Sequence, residues 1–107
     1  MELINMYEIF GEELNNAKHL GKIGINEYAW DYEHLCVAIE ILRKKGIPIL
    51  GGDVYVIDGQ NIKSTYDSWF TKKNENEDYC QSSYIQTLKY INIFEMKSNK
   101  YIYSIVI

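Results

Sequence analysis

The sequence contains few of the residues that build metal, redox or disulfide centres. It has only two cysteines, Cys36 and Cys80, and neither belongs to a C-x-x-C pair or to a Cys/His spacing typical of a metal site. Free cysteines in the reducing cytosol mostly act as small buried apolar side chains. The sequence therefore predicts a cytoplasmic protein with two reduced thiols, no metal and no other cofactor.

Positive charge is also scarce. The 11 basic and 15 acidic residues give a net charge of −4. Because phosphate binding needs a basic surface, this balance argues against nucleic acid as a direct partner. The acidity suits a basic protein partner, whose encounter it would accelerate, and it equally suits plain solubility.

Long apolar runs are absent as well. No stretch approaches the roughly 18 apolar residues that a membrane span needs. The N-terminus lacks the basic region followed by an apolar run that begins a signal peptide. We expect neither a membrane segment nor a signal peptide, and the length predicts that residues 1–107 form a single domain.

The stretch around Asp58-Gly59 is the most informative part of the chain. These two residues separate two runs rich in β-branched and aromatic residues. Such a pattern predicts a tight β-hairpin, here between residues 50–57 and 61–65.

Two neighbouring glycines interrupt the first of these runs. Gly51-Gly52 predicts either a β-bulge or a close approach of another part of the chain. Two motifs stand out in this region, Gly51-Gly52-Asp53-Val54-Tyr55 and Thr65-Tyr66-Asp67-Ser68-Trp69. They resemble the signature of the immunity protein 40 family, small bacterial proteins encoded beside polymorphic toxins.

The helix-to-strand passage over residues 38–50 and the chain length also fit that family, so the resemblance covers roughly residues 26–90. It implies a protein that binds and neutralises the C-terminal domain of a toxin from a polymorphic or contact-dependent system. The implied complex is one-to-one and involves no catalysis. The resemblance assigns no residue of this chain to the toxin interface.

Apolar residues at three- and four-residue steps predict three helices. The first covers residues 3–19. The second begins at Asn26 or at Asp31, either of which can cap a helix, and ends at Gly46. The third covers residues 77–92.

Residues 101–107 form the last predicted strand, since they are the most β-prone run present. A right-handed crossover through the third helix, which Asn74 or Asn76 is predicted to cap, returns this strand beside the first hairpin strand. The prediction is an α+β domain of element order ααββαβ. Its small antiparallel sheet has strand order 2-1-3 and packs with three helices, while residues 64–70 leave the sheet.

The first and last predicted strands carry large apolar side chains on both faces of the sheet. Three helices in so small a domain cover one face well. The second face is therefore either a binding or homodimer surface, or it is covered by the first helix or by residues 66–70.

Catalytic chemistry has little support in the sequence. Asp53, Asp58 and Asp67 are the carboxylates near the hairpin, and neither a G-x-G-x-x-G motif nor a P-loop occurs. Asp58 is a turn residue, and Asp53 is expected either to accept hydrogen bonds from backbone amides around Gly51-Gly52 or to cap local structure. We predict no enzyme and no catalytic residue; the alternative is a small-ligand-binding or enzymatic domain with a pocket near Asp53 and Trp69.

Aromatic and acidic residues around and after the hairpin suit a protein interface better. Residues 72–78, which we call the acidic loop, lead to the hypothesis that this loop occludes a basic nuclease cleft by mimicking phosphate. The candidate toxin-binding residues are Asp53, Tyr66, Asp67, Trp69, Phe70, Glu75, Glu77, Asp78 and Tyr79.

Overall fold

The computed structural model describes residues 6–23 and 27–107. Its first helix, α1, spans Met6–Phe10 and is followed by a 3₁₀ turn over Gly11–Asn16. The φ of Gly11 is +57°, which a right-handed helix cannot accommodate. The predicted helix over residues 3–19 is therefore too long at its C-terminal end, and its first three residues lie outside the described part.

Helix α2 spans Tyr32–Lys45 and is capped at both ends. The Asp31 carboxylate accepts a hydrogen bond from His34 N at 2.9 Å, and Gly46 takes the left-handed conformation that ends a helix. The prediction that Asp31 begins this helix is confirmed. The other predicted start, Asn26, lies outside the described residues.

A five-stranded antiparallel sheet packs against the helices. Its strands are β1 (Lys18–His19), β2 (Tyr28–Trp30), β3 (Gly51–Asp58), β4 (Asn61–Phe70) and β5 (Lys100–Val106). The order is β1-β2-β5-β3-β4, so the predicted order 2-1-3 corresponds to β4-β3-β5 and is confirmed, as is the α+β class. The predicted sheet was too small, because the short strands β1 and β2 extend it beyond β5.

Strand β4 runs further than the sequence predicts. The expectation that residues 64–70 leave the sheet is wrong, because the last three residues of β4 pair with the first three of β3. Gly52 permits this packing: a Cβ there would lie 2.1 Å from the carbonyl oxygen of Ser104 and 2.4 Å from the Trp69 ring. Close approach of the neighbouring chain therefore requires glycine at this position.

Helix α3 spans Tyr79–Glu95 rather than residues 77–92. Its N-cap is Asp78, whose carboxylate accepts hydrogen bonds from amides of the first helical turn, and not Asn74 or Asn76. No helix in the described part of the chain is long and apolar enough to cross a membrane.

The main core lies between the helices and one face of the sheet; its fully buried members include Trp30, Leu35, Leu42, Val54, Ile91 and Tyr103. On the opposite face, Leu20 packs with Tyr55 and Ile102. Leu20 belongs to a 3₁₀ turn over Leu20–Ile23. This turn, rather than the first helix or residues 66–70, covers the middle of the second face.

Candidate functional site

A large bulge interrupts the pairing of the edge strand β4 with β3. Between the pairs Asp53–Ser68 and Tyr55–Ser64, three residues of β4 lie opposite Val54 alone. Bulges of this kind bend an edge strand and hinder pairing with a further strand. The outer edge of β4 is therefore poorly suited to adding a partner strand along its whole length.

Side-chain hydroxyls hold the bulge in one conformation. Thr65 Oγ1 donates a hydrogen bond to the Val54 carbonyl at 2.9 Å and accepts one from Asp67 N at 3.1 Å. Ser64 Oγ accepts a hydrogen bond from Tyr66 N at 3.0 Å. The backbone groups that lose their partners in the sheet are thus bonded locally.

Tyr66 stands at the centre of the bulge in a strained conformation. With φ of 64°, it is the only residue other than glycine in the described part of the chain whose φ is positive. This conformation costs an L-residue about 1–2 kcal/mol. The side chain is nevertheless 95% exposed, so no packing of its own compensates the strain. Strain of this kind concentrates at functional sites.

Phe70 is the second large aromatic side chain that β4 presents to solvent, and it is 81% exposed. We call Tyr66 and Phe70 together the aromatic edge. Both side chains project from a strand that is paired along most of its length with β3. Exposed apolar groups on a rigid element are typical of contact surfaces.

Trp69, between these residues in sequence, lies in the core. Its indole Nε1 donates a hydrogen bond to Thr87 Oγ1 at 3.1 Å, and its ring stacks on Tyr90 with 5.3 Å between centroids. Trp69 faces the helices, whereas Asp53 faces the opposite side of the sheet. Within the described part of the chain, the two side chains therefore lie on opposite faces of the sheet and do not line one pocket.

The acidic loop contains residues with two different functions. Asp78 caps α3. Tyr79, directly after the loop, has its hydroxyl 2.6 Å from Oγ1 of Thr71, directly before the loop, so this contact holds the two ends of the loop together. Glu75 and Glu77 are exposed and have no such structural contact among the described residues. The loop also carries two lysines, so its three acidic residues give a net charge of only −1 (2 − 3).

Asp53 lies half-buried on the sheet face opposite the helices. Among residues 6–23 and 27–107, no backbone amide donates a hydrogen bond to its carboxylate, and its cross-strand neighbours are Ser68 and Ser104. Burial raises the pKa of nearby Tyr55, the carboxylates of Glu27 and Asp53 raise it further, and the Ser104 hydroxyl opposes them. Although near that phenol, Ser104 Oγ lacks hydrogen-bond geometry to any described partner.

The sequence prediction missed several residues that build this region. Ser64 and Thr65 fix the bulge, and the run of serine, threonine and aspartate around Tyr66 is a signal for such local hydrogen bonds. Ser104 sits within an apolar strand and carries no comparable signal. Among the described residues, no group of three or more His, Cys, Asp or Glu side chains is placed to hold a metal ion.

The fold and the site define an α+β domain with an exposed aromatic edge of the kind used in protein recognition. The family model described as Immunity protein 40 matches residues 19–107. The chain therefore belongs to the immunity protein 40 family, which confirms the resemblance seen in its motifs and makes it an immunity protein by family. Searches of curated proteins and of solved structures give no significant match.

Proposed function

We propose that this chain neutralises a toxin domain by binding it one-to-one in the cytosol of the producing cell, without a catalytic step. Family membership supports a toxin as the partner. The observation that supports binding through a protein interface is the aromatic edge, in which Tyr66 is 95% and Phe70 is 81% exposed. Large aromatic side chains supply much of the affinity in protein interfaces.

The bulge makes Tyr66 an effective anchor because its backbone is held in place before binding. Ser64 and Thr65 bond the amides of Tyr66 and Asp67 in the free protein. A side chain on a preorganised backbone loses little conformational entropy when it binds, and tyrosine has only two side-chain torsions to fix. Affinity is therefore expected to depend strongly on this residue.

Two of the carboxylates near the hairpin, Asp58 and Asp67, lie apart on β3 and β4, which supports the non-catalytic part of the proposal. Asp58 lies at the turn and forms an ion pair with Lys63 at 3.2 Å. Asp67 lies in the bulge, well along β4 from that turn. General acid–base catalysis by a pair of carboxylates requires both to reach one substrate.

Charge supports a basic surface on the partner. The chain carries a net charge of −4, and Glu75 and Glu77 are exposed where they can steer such a surface. Reversing both charges (Glu75→Lys, Glu77→Lys) should lower the association rate and its salt dependence. Asp78 is left unchanged because it caps α3. If rate and salt dependence stayed the same, the phosphate-mimic hypothesis for the acidic loop would be abandoned.

The decisive experiment is calorimetric titration against a catalytically inactive form of the toxin domain encoded beside this chain's gene. We expect one-to-one binding in the nanomolar range and protection of cells that produce the active toxin. A folded wild-type chain that does not bind would refute the proposal.

A pair of variants locates the interface. Tyr66→Ser combined with Phe70→Ser should weaken binding at least about 100-fold, since two anchors are lost. Met96→Ser is the matched control, because Met96 is an 89% exposed apolar residue just after α3. If the double variant and Met96→Ser lost toxin affinity equally, the aromatic edge would be excluded as the interface. Sedimentation of the free wild-type chain tests the homodimer alternative.

A further inference from the structure

A pocket lies beside the tip of the β-hairpin, on the sheet face opposite the helices. Its walls are Ile57 and Ile62 of the hairpin strands, residues 59–61 at the turn, and Lys18 and His19 of β1. We call it the hairpin pocket. Its volume is about 390 Å³, which falls within the range of roughly 300–1,000 Å³ that is usual for sites of small ligands.

One wall of the hairpin pocket is apolar and firmly supported. Ile57 and Ile62 are cross-strand partners, and each is only half-buried. Both pack against the small core that contains Tyr55 and Ile102. An aliphatic group placed on this wall would remove further apolar surface from water, which favours binding.

The opposite rim is polar and carries positive charge. Lys18 is exposed, and among residues 6–23 and 27–107 no carboxylate lies within ion-pair distance of its ammonium group. Asp58 follows Ile57 directly and so points to the other face of the hairpin, where it pairs with Lys63 at 3.2 Å. None of the described residues that line the pocket is acidic, although the whole chain has a net charge of −4.

Gln60 adds a second kind of polar group to this rim. Its side chain is exposed and forms no hydrogen bond within the described part of the chain. A side-chain amide offers both donors and acceptors, which is what a peptide group needs from a partner. The pocket therefore combines an aliphatic wall, one positive charge and one amide.

We infer that the hairpin pocket binds the C-terminal end of a partner's peptide chain whose last residue is aliphatic. The aliphatic side chain packs on Ile57 and Ile62, and the terminal carboxylate pairs with the ammonium group of Lys18. The preceding peptide group bonds the amide of Gln60. A free aliphatic acid has no such peptide group, so Gln60 favours a chain end as the ligand.

The hairpin pocket lies apart from Phe70 of the aromatic edge. Phe70 pairs with Gly51, and Ile62 pairs with Ile57, six residues further along β3. At the usual rise of a strand these two pairs lie roughly 20 Å apart. Binding at the pocket is therefore a second interaction, beyond the proposed function, and its test needs no toxin.

The first test titrates the labelled wild-type chain with acetyl-alanyl-leucine, which ends in a free carboxylate, and follows amide chemical shifts in NMR spectra. We expect saturable shifts at Gly59, Gln60 and Ile62. The C-terminal amide of this peptide lacks the charge, and acetyl-alanyl-glycine lacks the aliphatic side chain, so each should bind about 3- to 10-fold more weakly. Equal binding of the amidated peptide, or shifts confined to other regions, overturns the inference. Equal binding of 4-methylpentanoate, which has no peptide group, overturns the chain end as the ligand.

A pair of lysine variants tests the charge. Lys18→Met keeps the aliphatic stem but removes the ammonium group, and it should weaken acetyl-alanyl-leucine binding about 3- to 10-fold. Lys63→Met is the matched control, because Lys63 is an exposed lysine on the other face of the same hairpin, and binding should change less than about twofold. Unchanged binding by Lys18→Met, or an equal loss in both variants, overturns the inference. Both lysines are exposed, so both variants should fold.

Discussion

Replacing Tyr66 by glycine should stabilise the fold while it removes the main binding anchor. The residue has φ of 64°, which costs a non-glycine residue about 1–2 kcal/mol and costs glycine almost nothing. Glycine also makes the unfolded chain more flexible, which offsets about 0.5–1 kcal/mol of this gain. Tyr66→Gly should therefore range from equally stable to about 1.5 kcal/mol more stable than the wild type.

Tyr66→Ala separates backbone strain from the side chain. Because the tyrosine is 95% exposed, its truncation should change stability by less than about 0.5 kcal/mol. The glycine variant should then be more stable than the alanine variant by up to about 1.5 kcal/mol. Each kcal/mol shifts the thermal midpoint by roughly 4–8 °C in a domain near this size.

Lys63 provides the matched control, because it pairs regularly with Val56 in the same edge strand. At such a position glycine is less stable than alanine by about 0.5–1 kcal/mol. The sign of the glycine–alanine difference should therefore reverse between Tyr66 and Lys63. Urea unfolding of the four variants measures both differences, and the same sign at both positions would refute the strain argument. Both Tyr66 variants should bind the toxin about 30-fold or more weakly than the wild type.

Three further predictions concern the core. Gly52→Ala places a Cβ 2.1 Å from a β5 carbonyl oxygen and 2.4 Å from the Trp69 ring. It should lower the free energy of unfolding in urea by about 3 kcal/mol, and a loss below about 1 kcal/mol would contradict this packing. Thr87→Val leaves the buried indole N–H of Trp69 without its acceptor and should cost about 1–3 kcal/mol, whereas unchanged stability would argue against that bond. Burial and the Glu95 carboxylate raise the pKa of Tyr103 above its usual value of 10.0, which favours the neutral phenol in the fold. The contribution of the neutral Tyr103 phenol to the free energy of unfolding is complete below about pH 10 and is lost as the pH rises further. In alkaline unfolding, Tyr103→Phe should therefore lose stability less steeply with pH than the wild type. Identical dependence of stability on pH in the two proteins would contradict the raised pKa of Tyr103.

The secondary-structure signals that proved reliable were local ones. Asp31 caps α2, Gly46 ends it, and Asp58-Gly59 turns the hairpin, because each depends on a few neighbouring residues. The strand order β4-β3-β5 followed from the hairpin and a crossover of known hand. These features need no information from distant parts of the chain.

The short strands and the irregular pairing of β4 with β3 are not predicted by the sequence. Strand β2 has three residues, and its apolar side chains fit a helical stripe as well as a strand; it becomes a strand because it pairs with β5. The bulge adds two residues to β4, an even number, so the alternation of faces is preserved and Trp69 returns to the helix side. A strand predicted to end at Thr65 conceals this alternation, so the sequence places Trp69 among the candidate toxin-binding residues rather than in the core.

The sequence by itself determined the α+β class, the hairpin, the caps of α2 and the family, because each of these depends on a few adjacent residues. The tertiary structure decided which aromatic side chains are buried and which are exposed. It also brought Asp53 beside Ser104, two residues far apart in the chain. Their contact depends on the register of β3 against β5, and register is fixed by the packing of whole strands rather than by any local signal.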